Sequence, residues 1–191
     1  MKTCLSFFFA LALSCSALGQ GIPKPTALIM KEAYAKASTE NKKVILIFHA
    51  SWCGWCRKME ASINDPSCQK MFDDNYVVTY LDVLERAGKE NLENPGSLDL
   101  LKKYKGENEG LPFWLILDGN GDLLSDSEMR PDGASLDIHG ESVGCPASEK
   151  EVAWFVKLLK STSKLSDADL AAISARFRKN APVKQPVSGT N

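Results

Sequence analysis

The chain has 191 residues, with 23 Lys plus Arg against 24 Asp plus Glu, a net charge of −1, 44% hydrophobic and 25% charged residues. That balance is ordinary for a globular domain; it excludes disorder along the whole length and, with no basic excess, makes nucleic acid an unsuitable partner. A length of this order suits one domain with extensions.

Lys2 is the single positive charge ahead of an uncharged run from Cys4 to Leu18. The run holds 15 residues, short of the roughly 20 that a spanning helix needs. A positive start, an apolar centre and small residues at Ala17 and Gly19 read as a secretory signal peptide over residues 1–19. Cleavage after Gly19 removes Cys4 and Cys15 and sends the remainder to a secreted or periplasmic compartment, where disulfides persist. Two other readings stand beside it: a buried N-terminal helix, and lipid anchoring at Cys15, where Ala12 replaces the large aliphatic residue of a lipobox. No later apolar run is long enough to cross a membrane.

Residues 27–40 are rich in helix formers, with Ile29, Ala33 and Ala37 on one face. Val44 to Ala50 is apolar except for His49, the mark of a central strand buried on both faces. A helix is expected over 53–62, a break at Asp65-Pro66, a short helix over 67–74 and a second strand over 76–83. Residues 84–96 read as a loop; Ser97 then caps a helix to Tyr104, with Gly106 as its stop. Phe113–Leu117 is a third strand, and the turn Asp118 to Asp122 leads into a fourth. That turn begins like a calcium loop, but Leu123 and Met129 stand where Gly and Glu are required. Residues 125–147 form a polar excursion without periodicity. Ser148 and Glu151 make a capping box ahead of the stripe Val152, Phe155, Val156, Leu159. Ser166 and Asp169 open a last helix with Leu170, Ile173 and Phe177 on one side, and residues 181–191 are expected to be disordered. Early alternation followed by a hairpin implies an α/β fold with a mixed sheet and helices on both faces.

The chemistry concentrates in Trp52-Cys53-Gly54-Trp55-Cys56, directly after the apolar strand and at the start of a helix. Unpaired N–H groups and the positive end of the helix dipole favour an anion there, so Cys53 is the expected nucleophile. Cys56, with two residues between, can reach back to resolve a mixed disulfide on Cys53, and Trp52 and Trp55 supply an apolar rim for a substrate. A zinc site lacks a second close ligand pair, because Cys68, Cys145, His49 and His139 are scattered singly. A purely structural bridge is the other alternative, although so short a loop is strained and reducible. Cys68 and Cys145 are left over; they form a structural disulfide, stay as two inert buried thiols, or relay electrons from the active pair.

The Trp-Cys-Gly-x-Cys segment between strand and helix, followed by Gly110-Leu111-Pro112-Phe113 ahead of a strand, resembles the thioredoxin superfamily over roughly residues 27–162. The continuation Cys56-Arg57-Lys58-Met59-Glu60 is similar to the exported thioredoxin-like branch of thiol–disulfide oxidoreductases. The resemblance implies a thioredoxin-like fold over those residues, and residues 163–180 lie beyond it as an extra C-terminal helical extension. It implies a cis Pro112 against the sulfurs, whose neighbouring backbone pairs with substrate, so that Trp52, Trp55, Leu111 and Pro112 form the substrate site. It also implies protein or peptide disulfides as substrates and a protein electron donor or acceptor, with no organic cofactor and no metal. Two positions depart from the family: Ile47 stands where thioredoxins carry a buried Asp, and the dipeptide is Gly54-Trp55 rather than Gly-Pro. The direction of the redox reaction is therefore open. His49 is either a substitute proton relay or a packed strand histidine. The rival function is a binding or chaperone module on the same fold without redox turnover. Client specificity is expected in the loops 84–96 and 125–147.

Overall fold

The computed structural model describes residues 21–182; the proposed signal peptide, Cys4, Cys15 and residues 183–191 lie outside the described residues. Five consecutive residues, Val44 to Phe48, are fully buried, and a strand with no exposed face must lie inside a sheet covered on both sides. Strand β1 (Lys43–His49) accordingly occupies an interior position in the order β2-β1-β3-β4. It pairs in parallel with β2 (Tyr76–Asp82), Ile47 opposite Tyr80 and His49 opposite Asp82. On its other edge it pairs antiparallel with β3 (Phe113–Leu117), which carries the short antiparallel β4 (Leu123–Asp126).

The two-residue period of a strand divides the core. Val44, Leu46, Phe48, Phe113 and Leu115 meet α1 (Thr26–Glu40) and α4 (Ser97–Lys103). Ile45, Ile47, Trp114 and Ile116 face α2 (Gly54–Ile63), α3 (Gln69–Asn75), α5 (Glu149–Thr162) and α6 (Asp167–Arg178). This is the expected mixed sheet between helical layers, with every expected helix and strand present; α6 lies inside the expected 163–180 segment, and the other ends agree to within about two residues, the usual scatter. Both capping boxes form: Ser148 with Glu151, and Ser166 with Asp169.

One cap differs. Ser97 is the first helical residue, and Gly96, at φ +88°, is the N-cap. The Ser97 hydroxyl instead donates to the Asp82 carbonyl at 2.8 Å, tying α4 to the end of β2. The segment ends through Lys105, at φ +59°, rather than through Gly106; Gly106 follows it, its amide donating to the Leu101 carbonyl at 3.0 Å, and a Cβ there would lie 2.5 Å from Leu101 and 2.7 Å from Phe113.

Helix α6 packs into the main core through Leu170, Ile173 and Phe177, the same cluster that holds Met59 and Ile63 of α2 and Phe155 of α5. The Phe177 ring lies 5.0 Å from that of Phe155 and 6.2 Å from that of Phe72. At the edge of this contact Arg176 Nε donates to Asp65 Oδ2 at 2.6 Å. Ser67 donates to the other carboxylate oxygen from its hydroxyl at 2.6 Å and its amide at 3.0 Å. The Ser67 hydrogen bonds first, and Arg176 after them, hold Asp65 down at about 2 against its ordinary 3.8. A lowered carboxyl pKa stabilises the folded state above the unfolded value and loses that contribution as pH falls toward the folded one. The melting temperature of the parent is therefore expected to fall between about pH 4 and pH 2 more steeply than that of Asp65→Asn. Parallel curves in thermal melts would remove Asp65 from the acid response.

The 125–147 excursion is organised by charge rather than by apolar periodicity. Arg130 donates to both carboxylate oxygens of buried Asp126 at 2.6 and 3.0 Å, and to Glu128 Oε2 at 3.0 Å. Around them a two-stranded ribbon forms, β5 (Glu128–Met129) antiparallel to β6 (Glu141–Ser142). No helix among the described residues is long and apolar enough to cross a membrane.

Candidate active site

The turn from β1 into α2 delivers both cysteines to the helix start. Cys53 is the N-cap of α2, in extended conformation, and its Sγ accepts the Cys56 amide at 3.0 Å. The two are joined as a disulfide, S–S 1.96 Å and Cα–Cα 5.3 Å. The site therefore lies where the unpaired amides and the positive end of the helix dipole stabilise a Cys53 thiolate once the bond is opened. Cys53 and Cys56 are 2% and 4% exposed, whereas the flanking Trp52 and Trp55 are 40% and 41% exposed. The reactive sulfurs thus sit in a recess between two indole rings. Lys58 Nζ stands 4.0 Å from the centre of the Trp55 ring and the Arg86 guanidinium 5.5 Å from that of Trp52, holding both indoles by cation–π contact.

The segment before Cys53 is clamped by the chain that follows β2. Glu85 accepts from the Ser51 amide at 2.5 Å and from the Ser51 hydroxyl at 2.7 Å. Trp52 Nε1 donates to the Leu84 carbonyl at 2.8 Å, with Leu84 held at φ +55°. From within α2, Arg57 Nη1 donates to the Ser51 carbonyl at 2.9 Å. Leu84, Glu85 and Arg57 were not legible as site residues: Glu85 is one charge in a polar loop, and its partner is 34 positions away.

His49 points to the α2 face of the sheet. Its Nε2 lies 3.3 Å from Asp82 Oδ1, and its ring centre 5.3 Å from that of Tyr80. Burial raises the Asp82 carboxyl; His49 opposes that rise and Glu85 adds to it. Burial likewise pushes Tyr80 up to about 12, with Glu60 reinforcing the shift. Ile47, two residues before His49, is a buried core side chain.

Across the recess, the Leu111–Pro112 peptide is cis. Leu111 packs on the cluster of Ala50, Cys53 and Cys56. A cleft of about 890 Å³ opens beside the disulfide, between Trp55 and Leu111 on one side and residues 142–148 with the end of α6 on the other. Gly144 lies against Pro112, where a Cβ would stand at contact distance, 3.4 Å from Pro112 Cδ, and the Gly144 carbonyl accepts from Trp114 Nε1 at 2.9 Å.

Cys68 and Cys145 are not joined: both are free, buried thiols, which corrects the disulfide reading in favour of the inert-thiol alternative. They belong to one core cluster but contact different segments, α6 and the turn beyond its end. Cys68 Sγ lies 4.0 Å from the Ala172 carbonyl, and Cys145 Sγ accepts from Asn180 Nδ2 at 3.3 Å. Burial pushes the Cys145 thiol up to about 12 and also raises that of Cys68, so neither supplies a thiolate at neutral pH. His139, solitary in the sequence, is brought beside Glu128 at 3.3 Å and Glu109 at 3.8 Å. Glu128 is already engaged by Arg130 and by the Gly140 amide at 2.6 Å, and the group fastens the excursion rather than offering an open set of ligands.

Residues 26–119, which contain the cysteine pair, the β1–α2 turn and the cis proline, match a family model described as thioredoxin-like. Through this segment the chain belongs to the thioredoxin superfamily. Its sheet order, the cysteines at the start of α2 and the cis Leu111–Pro112 bond are therefore the thioredoxin-like fold in this chain. Among solved structures it is similar to a disulphide isomerase from Xylella fastidiosa Temecula1 (17% identity, 84% of this chain and 98% of that one, TM-score 0.45). It is also similar to the DsbH oxidoreductase (19%, 86% and 96%, 0.44). A third similar structure is the oxidised C-terminal domain of DsbD from Neisseria meningitidis (18%, 72% and 98%, 0.41). Comparison with curated proteins returns no match.

Proposed function

We propose that this thioredoxin-superfamily protein is an exported thiol–disulfide oxidoreductase acting on protein disulfides. The observation that carries the reading is the disulfide-bonded Cys53–Cys56 pair at the N-terminus of α2, covered by Leu111 of the cis Leu111–Pro112 step. In the reducing direction, the Cys53 thiolate attacks one sulfur of a substrate disulfide. A Cys53–substrate bond forms, the substrate S–S bond breaks, and the departing sulfur leaves as a thiolate that takes a proton from solvent. Cys56, after losing its proton, attacks Cys53 Sγ; the Cys53–Cys56 bond forms and the second substrate thiolate departs. Two electrons have then passed from the protein to the substrate, and a dithiol partner protein restores the reduced pair by the same exchange. Run backwards, the cycle oxidises a substrate dithiol. The charged start, apolar run and small residues of positions 1–19 support a secreted or periplasmic location.

The test is dithiothreitol-dependent reduction of insulin. Catalysed precipitation well above the uncatalysed rate is the expected result. Binding of unfolded protein with no acceleration would overturn the oxidoreductase reading in favour of the binding module. The direction follows from the Cys53–Cys56 reduction potential: a value near about −270 mV marks a reductant and one near about −120 mV an oxidant.

A further inference from the structure

The direction of exchange depends on how well the reduced pair is held as a thiolate, and one carboxylate bears on that. Glu85 grips the segment ahead of Cys53 with both oxygens, on the Ser51 amide at 2.5 Å and on the Ser51 hydroxyl at 2.7 Å. Both donors are neutral, and among the described residues no Lys, Arg or His side chain forms an ion pair with Glu85. Its negative charge therefore stands beside the motif without a counter-ion. A neighbouring anion already registers it: burial raises the Asp82 carboxyl, His49 opposes that rise and Glu85 adds to it.

Ser51 stands two positions before Cys53, and the Cys53 amide folds back onto the Ala50 carbonyl at 3.0 Å. At about 3.6 Å of chain per residue or less, the Glu85 carboxylate lies within roughly 10 Å of Cys53. That is about one screening length at 0.1 M salt. The other charges around the motif have their own contacts. Arg57 donates to the Ser51 carbonyl at 2.9 Å, Lys58 stands over the Trp55 ring and Arg86 over that of Trp52. Glu93 accepts the Glu85 amide at 2.8 Å, and Glu60 acts on Tyr80. Arg57 and the start of α2 favour an anion on Cys53, whereas Glu85 opposes it. A charge that opposes the thiolate makes the reduced pair less stable and so lowers its reduction potential.

We propose that Glu85 sets the redox poise of the pair: its charge, held beside the motif through Ser51, disfavours the Cys53 thiolate, favours the disulfide over the dithiol and biases the protein toward the role of reductant. Glu85 is on this account a positioning residue, acting through Ser51 and through the field at Cys53. The proposal rests on the oxidoreductase reading for the role of the pair, but its test needs no protein substrate. The equilibrium to be measured is exchange with glutathione at pH 8. Two glutathione thiols give up two electrons and join as glutathione disulfide, the Cys53–Cys56 bond breaks, and the two protons pass to the cysteines.

Glu85→Gln removes the charge and keeps an acceptor for the Ser51 amide. It is expected to shift that equilibrium toward the dithiol by about twofold to tenfold, the scale of one charge acting over this distance near a protein surface. In potential this is a rise of roughly 10–30 mV. The pH midpoint for alkylation of reduced Cys53 by iodoacetamide should fall in step. In 1 M salt, where the screening length is about 3 Å, parent and variant should converge, which a purely structural role would not produce. Glu85→Asp, which keeps the charge, should stay near the parent, as should Glu90→Gln, the same charge change at an exposed position further along the loop. A parental or lowered potential in Glu85→Gln overturns the proposal, and so does an equal shift in Glu85→Asp or Glu90→Gln. If the expected shifts appear in a protein that reduces no insulin, the oxidoreductase reading falls while the role of Glu85 at the pair stands.

Discussion

Cys53→Ser is expected to abolish catalysed disulfide exchange, and Cys56→Ser to convert the protein into a trap. The asymmetry follows from position. Cys53 is the N-cap, where its sulfur accepts the Cys56 amide and faces the positive end of α2, an interaction worth about 0.3–2 kcal/mol to an anion. Cys56 lies one turn further in, and reaches the mixed disulfide only from behind. Without Cys56 the first exchange completes and the second cannot, so a Cys53–substrate bond accumulates. On non-reducing gels, Cys56→Ser incubated with a disulfide-bearing protein should run as a higher-mass adduct that dithiothreitol dissolves. Cys53→Ser should form few adducts. Equal trapping by the two variants, or none by either, would remove Cys53 as the nucleophile.

The second large effect is on stability. Phe177→Ala is expected to cost about 3–5 kcal/mol, the usual penalty for emptying a fully buried aromatic site. Phe177 is 0% exposed and its ring lies between those of Phe72 and Phe155, joining α6 to α3 and α5. Neither neighbour can collapse into the space alone, because each is itself fixed in the core by other contacts. Urea unfolding should show a lower midpoint with an unchanged slope, the signature of lost stability without a change in surface exposed. A loss below about 1 kcal/mol would mean that α6 rests on the core without sealing it. The end of this helix and the residues after it supply Arg178, Ala181 and Pro182 to the cleft beside Trp55.

Several features were legible because their causes are local. The apolar run from Val44 announced an interior strand, and Ser148 with Glu151 and Ser166 with Asp169 announced two helix starts. In each, the interacting groups lie within one strand or one helical turn. The reactive pair was visible for the same reason: two residues separate Cys53 from Cys56, and the strand before and helix after them are encoded beside them. Ser97 misled because its residue type suits an N-cap, while the distant carbonyl of Asp82 competes for its hydroxyl and Gly96 takes the left-handed position. Cys68 and Cys145 misled because an even remainder says nothing about distance, and Ala172 of α6 and Asn180 beyond it hold them at separate contacts.

What residues alone settled here was the set of segments and the chemistry of one turn, since periodicity, capping and a two-residue cysteine spacing are written over a few neighbouring positions. Tertiary structure decided which distant groups serve that turn. The Glu85 clamp on Ser51, the Trp114 bond to the Gly144 carbonyl, and the cleft between Trp55 and the end of α6 all join segments whose proximity follows only from burying both faces of the sheet. The sequence holds six cysteines. The folded chain keeps Cys68 and Cys145 as free thiols in its apolar core and sets the one disulfide among its described residues at a helix start, where exchange chemistry is favoured.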